Sequence, residues 1–100
     1  MSTITVQEVE ELIKDSIPSN VELIDVREPF ELAVAKIPGV KNIPLGELPN
    51  HINEFKKDKT YIMVCRSGNR SGVATNYLRQ VGINATNMVG GMVIWGGPVE

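Results

Sequence analysis

Short apolar runs that alternate with helical segments most narrowly limit what this chain can fold into. Residues 21–26 and residues 60–64 are apolar and partly β-branched, and both are too short to be helices of their own. We predict them as buried strands, with a last strand over residues 85–89. Strands alternating with helices favour an α/β fold whose parallel sheet is covered by helices on both faces. Such sheets bind ligands beyond the carboxyl ends of their strands.

Two amphipathic helices are predicted beside these strands. Thr5 and Glu8 have the spacing of a capping box, and we predict a helix over about residues 6–15. A second helix is predicted to begin near Ser71 and to stop at Gly82, with a buried face formed by Val73, Ala74, Tyr77, Leu78 and Val81. Between them we predict a short strand over residues 40–43 and a weak helical pattern, broken by Pro49, over residues 45–55.

Composition excludes several classes of protein. A length of 100 residues suits one core, so we predict residues 1–100 to be a single domain. The net charge of -2 argues against a general nucleic-acid binder. The start of the chain lacks a basic region followed by an apolar run, and no stretch approaches the ~20 apolar residues of a membrane span. We therefore expect a cytoplasmic protein with neither nucleic acid nor membrane as a partner.

The chain contains a single cysteine, Cys65, and a single histidine, His51. One cysteine cannot form an intramolecular disulfide or a multi-cysteine zinc site, and His51 has no second ligand candidate near it in sequence. We expect no metal and no cofactor, and we interpret His51 as an exposed residue of a loop or helix start. Whatever Cys65 does, it does as a thiol.

The residues around Cys65 favour a reactive thiol over an inert one. Cys65 lies between a predicted buried strand and a predicted helix start, where unpaired N–H groups and the helix dipole favour an anion. Arg66 and Arg70 add two nearby cations. A free cysteine has a pKa of ~8.5, and such surroundings lower it. A lone cysteine after an apolar strand is usually a small hydrophobe, but two interleaved arginines would serve no purpose there.

Between the two arginines, Ser67, Gly68 and Asn69 suit a loop that curls around the sulfur. Glycine and asparagine tolerate positive φ, and successive backbone N–H groups can converge on an anion. Such a ring of donors would stabilise a persulfide, whose outer sulfur is negatively charged.

Residues 65–71, with the sequence Cys-Arg-Ser-Gly-Asn-Arg-Ser, resemble the active-site loop of rhodanese-like domains. Residues 23–31 resemble the family's first signature, residues 37–44 continue it, and residues 90–95 resemble its C-terminal element. Together they cover nearly the whole chain in the expected order. Two departures stand out: Ala35-Lys36 replaces the Gly-His that the family often has, and the end of the chain is shorter than the usual helical tail. We therefore expect a curtailed last helix.

The resemblance implies a small parallel five-stranded sheet flanked by helices on both faces, and a thiosulfate sulfurtransferase. Cys65 would be the nucleophile, alternating between thiol and persulfide. The substrate and persulfide would be held by Arg66, Ser67, Gly68, Asn69, Arg70 and Ser71. Asp25 and Arg27 belong to the supporting signature, and Asp25 suits pairing with Arg27 or a backbone N–H better than direct catalysis.

Other functions stay open at this point. The two arginines favour thiosulfate or a similar anionic donor over mercaptopyruvate, and the acceptor would be a thiol or cyanide. Alternatively, the chain is a persulfide carrier or interaction module that receives sulfur from a sulfur-relay protein. A cysteine phosphatase or arsenate reductase fits less well. The phosphatase loop has five residues between cysteine and arginine, whereas four separate Cys65 from Arg70 here.

Overall fold

Five strands form an all-parallel sheet in the computed structural model, which describes residues 2–100. Their order across the sheet is β1-β5-β4-β2-β3. The strands are β1 (Thr3–Thr5), β2 (Val21–Asp25), β3 (Lys41–Asn42), β4 (Thr60–Val64) and β5 (Asn84–Val89). The central strand β4 pairs with β2 on one side, where Leu23 lies opposite Ile62, and with β5 on the other. The predicted parallel five-stranded sheet is confirmed.

Three α-helices and two 3-10 helices connect the strands. The α-helices are α1 (Val6–Lys14), α2 (Pro29–Val34) and α3 (Asn69–Gln80), and the 3-10 helices span Leu45–Glu54 and Met92–Ile94. The predicted capping box begins α1, since the Thr5 hydroxyl accepts from the Glu8 N–H at 3.1 Å and the Thr5 N–H donates to the Glu8 carboxylate at 3.0 Å. The last helical segment is only three residues long. No helix within residues 2–100 has both the length and the apolar character required to cross a membrane.

Two apolar clusters cover the two faces of the sheet. Successive residues of a strand point to opposite faces, so Met63 belongs to one cluster and Ile62 to the other. The first cluster includes Ala74 and Leu78 of α3. The second includes residues of α1 and β5, namely Val6, Val9 and Met88. Helices therefore lie on both faces, and β4 passes between two cores that hold it in place.

The helix α3 differs from its prediction in its start and in its buried face. It begins at Asn69 rather than near Ser71, with Gly68 as the residue before its first turn. Ala74 and Leu78 are buried as expected, but Val73 and Val81 are 57% and 44% exposed. The polar residues Ser71 and Thr75 are fully buried instead. The apolar pattern misled because this helix packs on β5 partly through hydrogen bonds of polar side chains.

Three further segments depart from the prediction. The strand β1 and the helix α2 were not predicted at all. Residues 45–54 form a 3-10 helix that continues through Pro49 rather than breaking there. Helices of this type consist of short tight turns, and a proline at the start of such a turn needs no N–H of its own.

Candidate active site

Cys65 directly follows β4 at the carboxyl edge of the sheet and is only 1% exposed. Its backbone is braced by the C-terminal segment, because the Met92 N–H donates to the Cys65 carbonyl and the Val93 N–H donates to the Arg66 carbonyl, both at 2.9 Å. Gly91 lies so close to this stretch that any Cβ there would collide with the Arg66 carbonyl. Gly91 therefore allows the C-terminal segment to pack directly against the backbone of Cys65 and Arg66.

The sulfur of Cys65 lies between two groups at the start of α3. The Gly68 N–H donates to Sγ at 3.1 Å, and the Ser71 hydroxyl oxygen lies 3.2 Å from Sγ. Gly68 has a φ of +100°, and a Cβ on it would come within 3.3 Å of the Gly90 nitrogen. Only glycine suits both the conformation and the space, so the residue that points its N–H at the sulfur has to be glycine.

The balance of burial and hydrogen bonding favours the thiolate. Burial raises the pKa of the Cys65 thiol. The Ser71 hydroxyl and the N–H groups of Ser71, Gly68 and Ser67 lower it, and together they outweigh the effect of burial. The net pKa lies below that of an ordinary cysteine. The hydrogen bonds around the start of α3 are the largest effects that lower this pKa, and Arg70 interacts with Cys65 through charge as well.

Arg70 is committed to a carboxylate rather than free for a ligand. Its two terminal nitrogens donate to the two oxygens of Glu31, on α2, at 2.7 Å and 3.0 Å. The hydrogen bond from Arg70 lowers the pKa of Glu31 to about 2, against the opposing effect of burial, so the pair is fully ionised at neutral pH. Residues of α2 and α3 that are 39 positions apart thus form an ion pair.

A second ion pair lies at the end of β2. The Asp25 carboxylate accepts from the backbone N–H, Nε and Nη2 of Arg27, at 2.8–3.0 Å, and Nη2 also donates to the Ala35 carbonyl at 2.9 Å. Both residues are buried, which agrees with the structural role expected for Asp25. Ala35 takes part in this contact through its backbone carbonyl, so the contact does not require the Gly-His that the family often has at residues 35–36.

An open cavity of about 390 Å³ adjoins this loop and is lined by Arg27, Phe30, Glu31, Val34, Arg66, Met92 and Val93. Arg66 is exposed, and within residues 2–100 no carboxylate lies within salt-bridge distance of it. Phe30, Val34, Met92 and Val93 form what we term the apolar rim. Phe30 and Val34 are 73% and 87% exposed. One free guanidinium in an apolar surround suits a ligand with an anionic part.

Comparison with known proteins identifies the family. The model of the rhodanese-like domain family matches residues 5–97. The chain belongs to the rhodanese-like domain family. YtwF of Bacillus subtilis is 39% identical to it over 90 residues, which cover 88% of this chain and 87% of YtwF. A sulfurtransferase of Allochromatium vinosum is 38% identical over 77 residues, covering 76% of this chain and 72% of the relative. The crystal structure of a rhodanese-like domain protein from Staphylococcus aureus is 39% identical, covers 100% of this chain and 97% of its own, and has a TM-score of 0.91.

Sequence reasoning located part of this rhodanese-like site and missed part of it. Of the predicted binding residues, Gly68 and Ser71 contact the sulfur, whereas Asn69 is an exposed first residue of α3 rather than a loop residue. Glu31 and Asn87 were missed. Glu31 lies within residues 23–31, which resemble the family's first signature, so its carboxylate could have been predicted to belong to the site. Nothing in the sequence around Asn87 indicated a role in the site. The nucleophilic role of Cys65 stays a prediction.

His51 lies away from this site. Its Nδ1 is 2.6 Å from the Glu54 carboxylate, within the longer 3-10 helix. Within residues 2–100, no group of three or more histidine, cysteine, aspartate or glutamate side chains is arranged to hold a metal ion.

Proposed function

We propose that this rhodanese-like sulfurtransferase transfers the outer sulfur of thiosulfate to a thiol or cyanide through a persulfide on Cys65. The observation that carries the proposal is the position of Sγ, held between the Gly68 N–H and the Ser71 hydroxyl at the start of α3. These groups lower the pKa of Cys65 and so favour the thiolate, which is the nucleophilic form of cysteine.

The proposed reaction has two balanced steps. In the first, the Cys65 thiolate attacks the outer sulfur of thiosulfate, a new S–S bond forms, and sulfite leaves with the electron pair of the broken S–S bond. In the second, cyanide or an acceptor thiolate attacks the outer sulfur of the persulfide. The Sγ–S bond breaks, Cys65 leaves as a thiolate, and thiocyanate or a new persulfide is released. The N–H groups facing Sγ stabilise negative charge at both ends of the cycle.

Thiosulfate as donor is supported by Arg66. This exposed guanidinium lines the cavity, carries no carboxylate partner within residues 2–100, and can bond two sulfonate oxygens at once. Arg70 contributes less than we expected from the sequence, because Glu31 already balances its charge. The anionic group of a sulfur donor that enters the cavity can therefore bind to Arg66.

The acceptor side is supported by the apolar rim. Cyanide and thiosulfate have no apolar part, yet Phe30, Val34 and Val93 are all more than half exposed around the cavity. Exposed apolar groups gathered in one place are typical of a surface that meets an apolar partner. An organic thiol, small or attached to a protein, uses this rim better than cyanide does.

The test is thiocyanate formation from thiosulfate and cyanide by the wild type and by Cys65→Ser. We expect turnover in the wild type and none above background in the variant, because serine cannot form a persulfide. Ser19→Ala serves as a control, since Ser19 is exposed and lies outside residues 65–71. Equal turnover in Cys65→Ser and wild type would refute the role of Cys65, and no turnover in a folded wild type would refute thiosulfate as donor.

A persulfide carrier is the second candidate, and the exposed apolar rim is the observation that favours it. A carrier would accept sulfur from a partner protein without turning over thiosulfate. Mass spectrometry after incubation with a persulfide-loaded protein donor would then show one added sulfur on the wild type and none on Cys65→Ser. Thiosulfate turnover that greatly exceeds one equivalent per chain would favour the enzyme instead.

A phosphatase gains no support from the site. The arginine that would contact phosphate, Arg70, has both terminal nitrogens bonded to Glu31. The shorter spacing between Cys65 and Arg70 also makes a smaller ring than a tetrahedral phosphate needs. Hydrolysis of an aryl phosphate, abolished by Cys65→Ser, would overturn this view.

A further inference from the structure

Behind the sulfur, a chain of hydrogen bonds joins Cys65 to a buried amide on β5. The Ser71 oxygen lies 3.2 Å from Sγ, and the Ser71 hydroxyl donates to Asn87 Oδ1 at only 2.6 Å. Asn87 is oriented by its other end, because Nδ2 donates to the Gly68 carbonyl at 3.1 Å. Cys65, Ser71 and Asn87 are all at least 95% buried. The Asn87 amide therefore contacts both residues that lie against the sulfur, Ser71 and Gly68.

The Ser71 hydroxyl has one hydrogen and two possible acceptors for it. In the thiol state, Sγ–H donates to the Ser71 oxygen, and the Ser71 hydrogen goes to Asn87 Oδ1, so every group is satisfied. A thiolate has no hydrogen to give, and Ser71 can stabilise it only by turning its hydrogen from Oδ1 to Sγ. Oδ1 then loses its donor in a buried place, which is costly.

We propose that Asn87 is a positioning residue that holds the Ser71 hydrogen away from Cys65 in the thiol state and surrenders it when the sulfur becomes a thiolate. The thiol proton leaves to solvent base, and the Ser71 hydrogen rotates between acceptors without leaving its oxygen. When Sγ is bonded to a second sulfur and carries no charge of its own, the hydrogen returns to Asn87. Asn87 thus opposes ionisation of Cys65, and Ser71 favours it.

The charged groups around this chain keep their charge while Cys65 titrates. Arg70 on α3 interacts with Cys65 through charge and is paired with Glu31 on α2, whose pKa is lowered to about 2 by that hydrogen bond. Asp25 is paired with Arg27 at 2.8 Å, and Arg66, like every arginine, keeps its charge over the range in which a thiol titrates. β5 and the 3-10 helix at Met92–Ile94 contribute no ionisable side chain. A change in the titration of Cys65 therefore reports on Ser71 and Asn87.

The test is the pH dependence of Cys65 alkylation by iodoacetamide in the full chain, checked by the ultraviolet absorbance of the thiolate. We expect Ser71→Ala to raise the pKa of Cys65 and Asn87→Leu to lower it, each by about one unit, the scale of a hydrogen bond to a charged group. The double variant should titrate like Ser71→Ala alone, because the proposed effect of Asn87 on the sulfur passes through the Ser71 hydrogen. Asn87→Ala should move the pKa in the same direction as Asn87→Leu.

Thr86→Val is the matched control, because Thr86 precedes Asn87 on β5 and its hydroxyl accepts from Ser2 instead of contacting Ser71. It should leave the titration of Cys65 unchanged. A pKa that rises in both Asn87 variants, or that stays at the wild-type value, would overturn the proposal. The inference rests on Cys65 being the nucleophile, as proposed above. Alkylation needs no sulfur donor, however, so a failed titration test and a failed thiosulfate assay are distinguishable.

Discussion

The two arginine–carboxylate pairs of the site have the same chemistry and different surroundings. The pair between Asp25 and Arg27 has a shortest distance of 2.8 Å, with side chains 0% and 7% exposed. The pair between Glu31 and Arg70 has a shortest distance of 2.7 Å, with side chains 18% and 36% exposed. The first joins residues two positions apart, and the second joins α2 to α3. Distance alone does not separate them, but access to water does.

The difference teaches which pair can take part in binding. Breaking a buried pair leaves an uncompensated charge away from water, so the Asp25 pair is fixed and holds the end of β2. A partly exposed pair opens at a lower cost, because water can replace either partner. Glu31 is therefore placed to control how much of the positive charge of Arg70 a ligand meets.

Removing the buried carboxylate should have the largest effect. We expect Asp25→Asn to lower the free energy of unfolding by ~3–5 kcal/mol, because Arg27 stays buried without its counter-charge. Chemical denaturation measures this. Asp58→Asn, at an exposed carboxylate, is the control and should cost under ~0.5 kcal/mol. Replacing both partners, as in Asp25→Leu with Arg27→Met, should recover part of the loss. Equal costs for Asp25→Asn and Asp58→Asn would remove the distinction between the pairs.

Within residues 2–100, Arg66 has no carboxylate partner, in contrast to Arg27 and Arg70. We expect Arg66→Gln to raise KM for thiosulfate about tenfold, with a smaller effect on kcat, because a charge-assisted hydrogen bond to the donor is lost. Steady-state thiocyanate formation measures both constants. Lys14→Gln removes the same charge from the end of α1 and should leave KM unaltered. If both variants raise KM alike, overall charge and not Arg66 attracts the donor.

Glu31→Gln should act in the opposite direction. Without the carboxylate, Arg70 is free to meet an anion, and we expect KM for thiosulfate to fall about threefold while stability changes by under ~1 kcal/mol. The same assay serves, and Glu47→Gln, at an exposed carboxylate of the longer 3-10 helix, is the control. A higher KM in Glu31→Gln would mean that Glu31 positions Arg70 for the donor instead of competing with it.

The smallest effect concerns acid stability. Because the folded pKa of Glu31 is lowered to about 2 by its hydrogen bond with Arg70, the pair stabilises the fold above the ordinary pKa of a carboxyl group and loses that contribution as pH falls through about 2. After screening by solvent, we expect about 0.5 kcal/mol. Denaturation of the wild type and of Glu31→Gln between neutral and acid pH checks it. Their difference in stability should shrink as pH falls, and a widening difference would contradict the prediction.

Local signals made most of the fold predictable from sequence. The strands β2 and β4 are short apolar runs, and the capping box before α1 uses residues three positions apart. The order of residues 65–71 likewise places a thiol at a helix start. By contrast, β1 has three residues and is stabilised only by pairing with β5, so its own sequence carries little signal. The helix α2 begins at Pro29, and proline favours the first turn of a helix, so its start carried a local signal that the apolar pattern did not include.

Contacts between distant residues made part of the site unpredictable. Glu31 and Arg70 meet only because α2 and α3 both adjoin the carboxyl edge of the sheet. Asn87 resembles any polar residue of a strand, and its role depends on the register that sets it opposite Thr3 and beside Ser71. Periodicity reports which side of an element is apolar. It does not report which polar atom a neighbouring element will supply.

The pairing of β1 with β5 has a consequence for how the protein is made. Of the five strands, β1 comes first along the chain, and its neighbour in the sheet is the last one, β5; the backbone N–H of Asn87 also donates to the Ser2 carbonyl at 3.0 Å. Parallel pairings between distant parts of a chain form late, because they require long loops to close. The supports of the Cys65 backbone at Met92 and Val93 are synthesised later still. A nascent chain therefore lacks these two supports of the Cys65 loop until Met92 and Val93 have emerged.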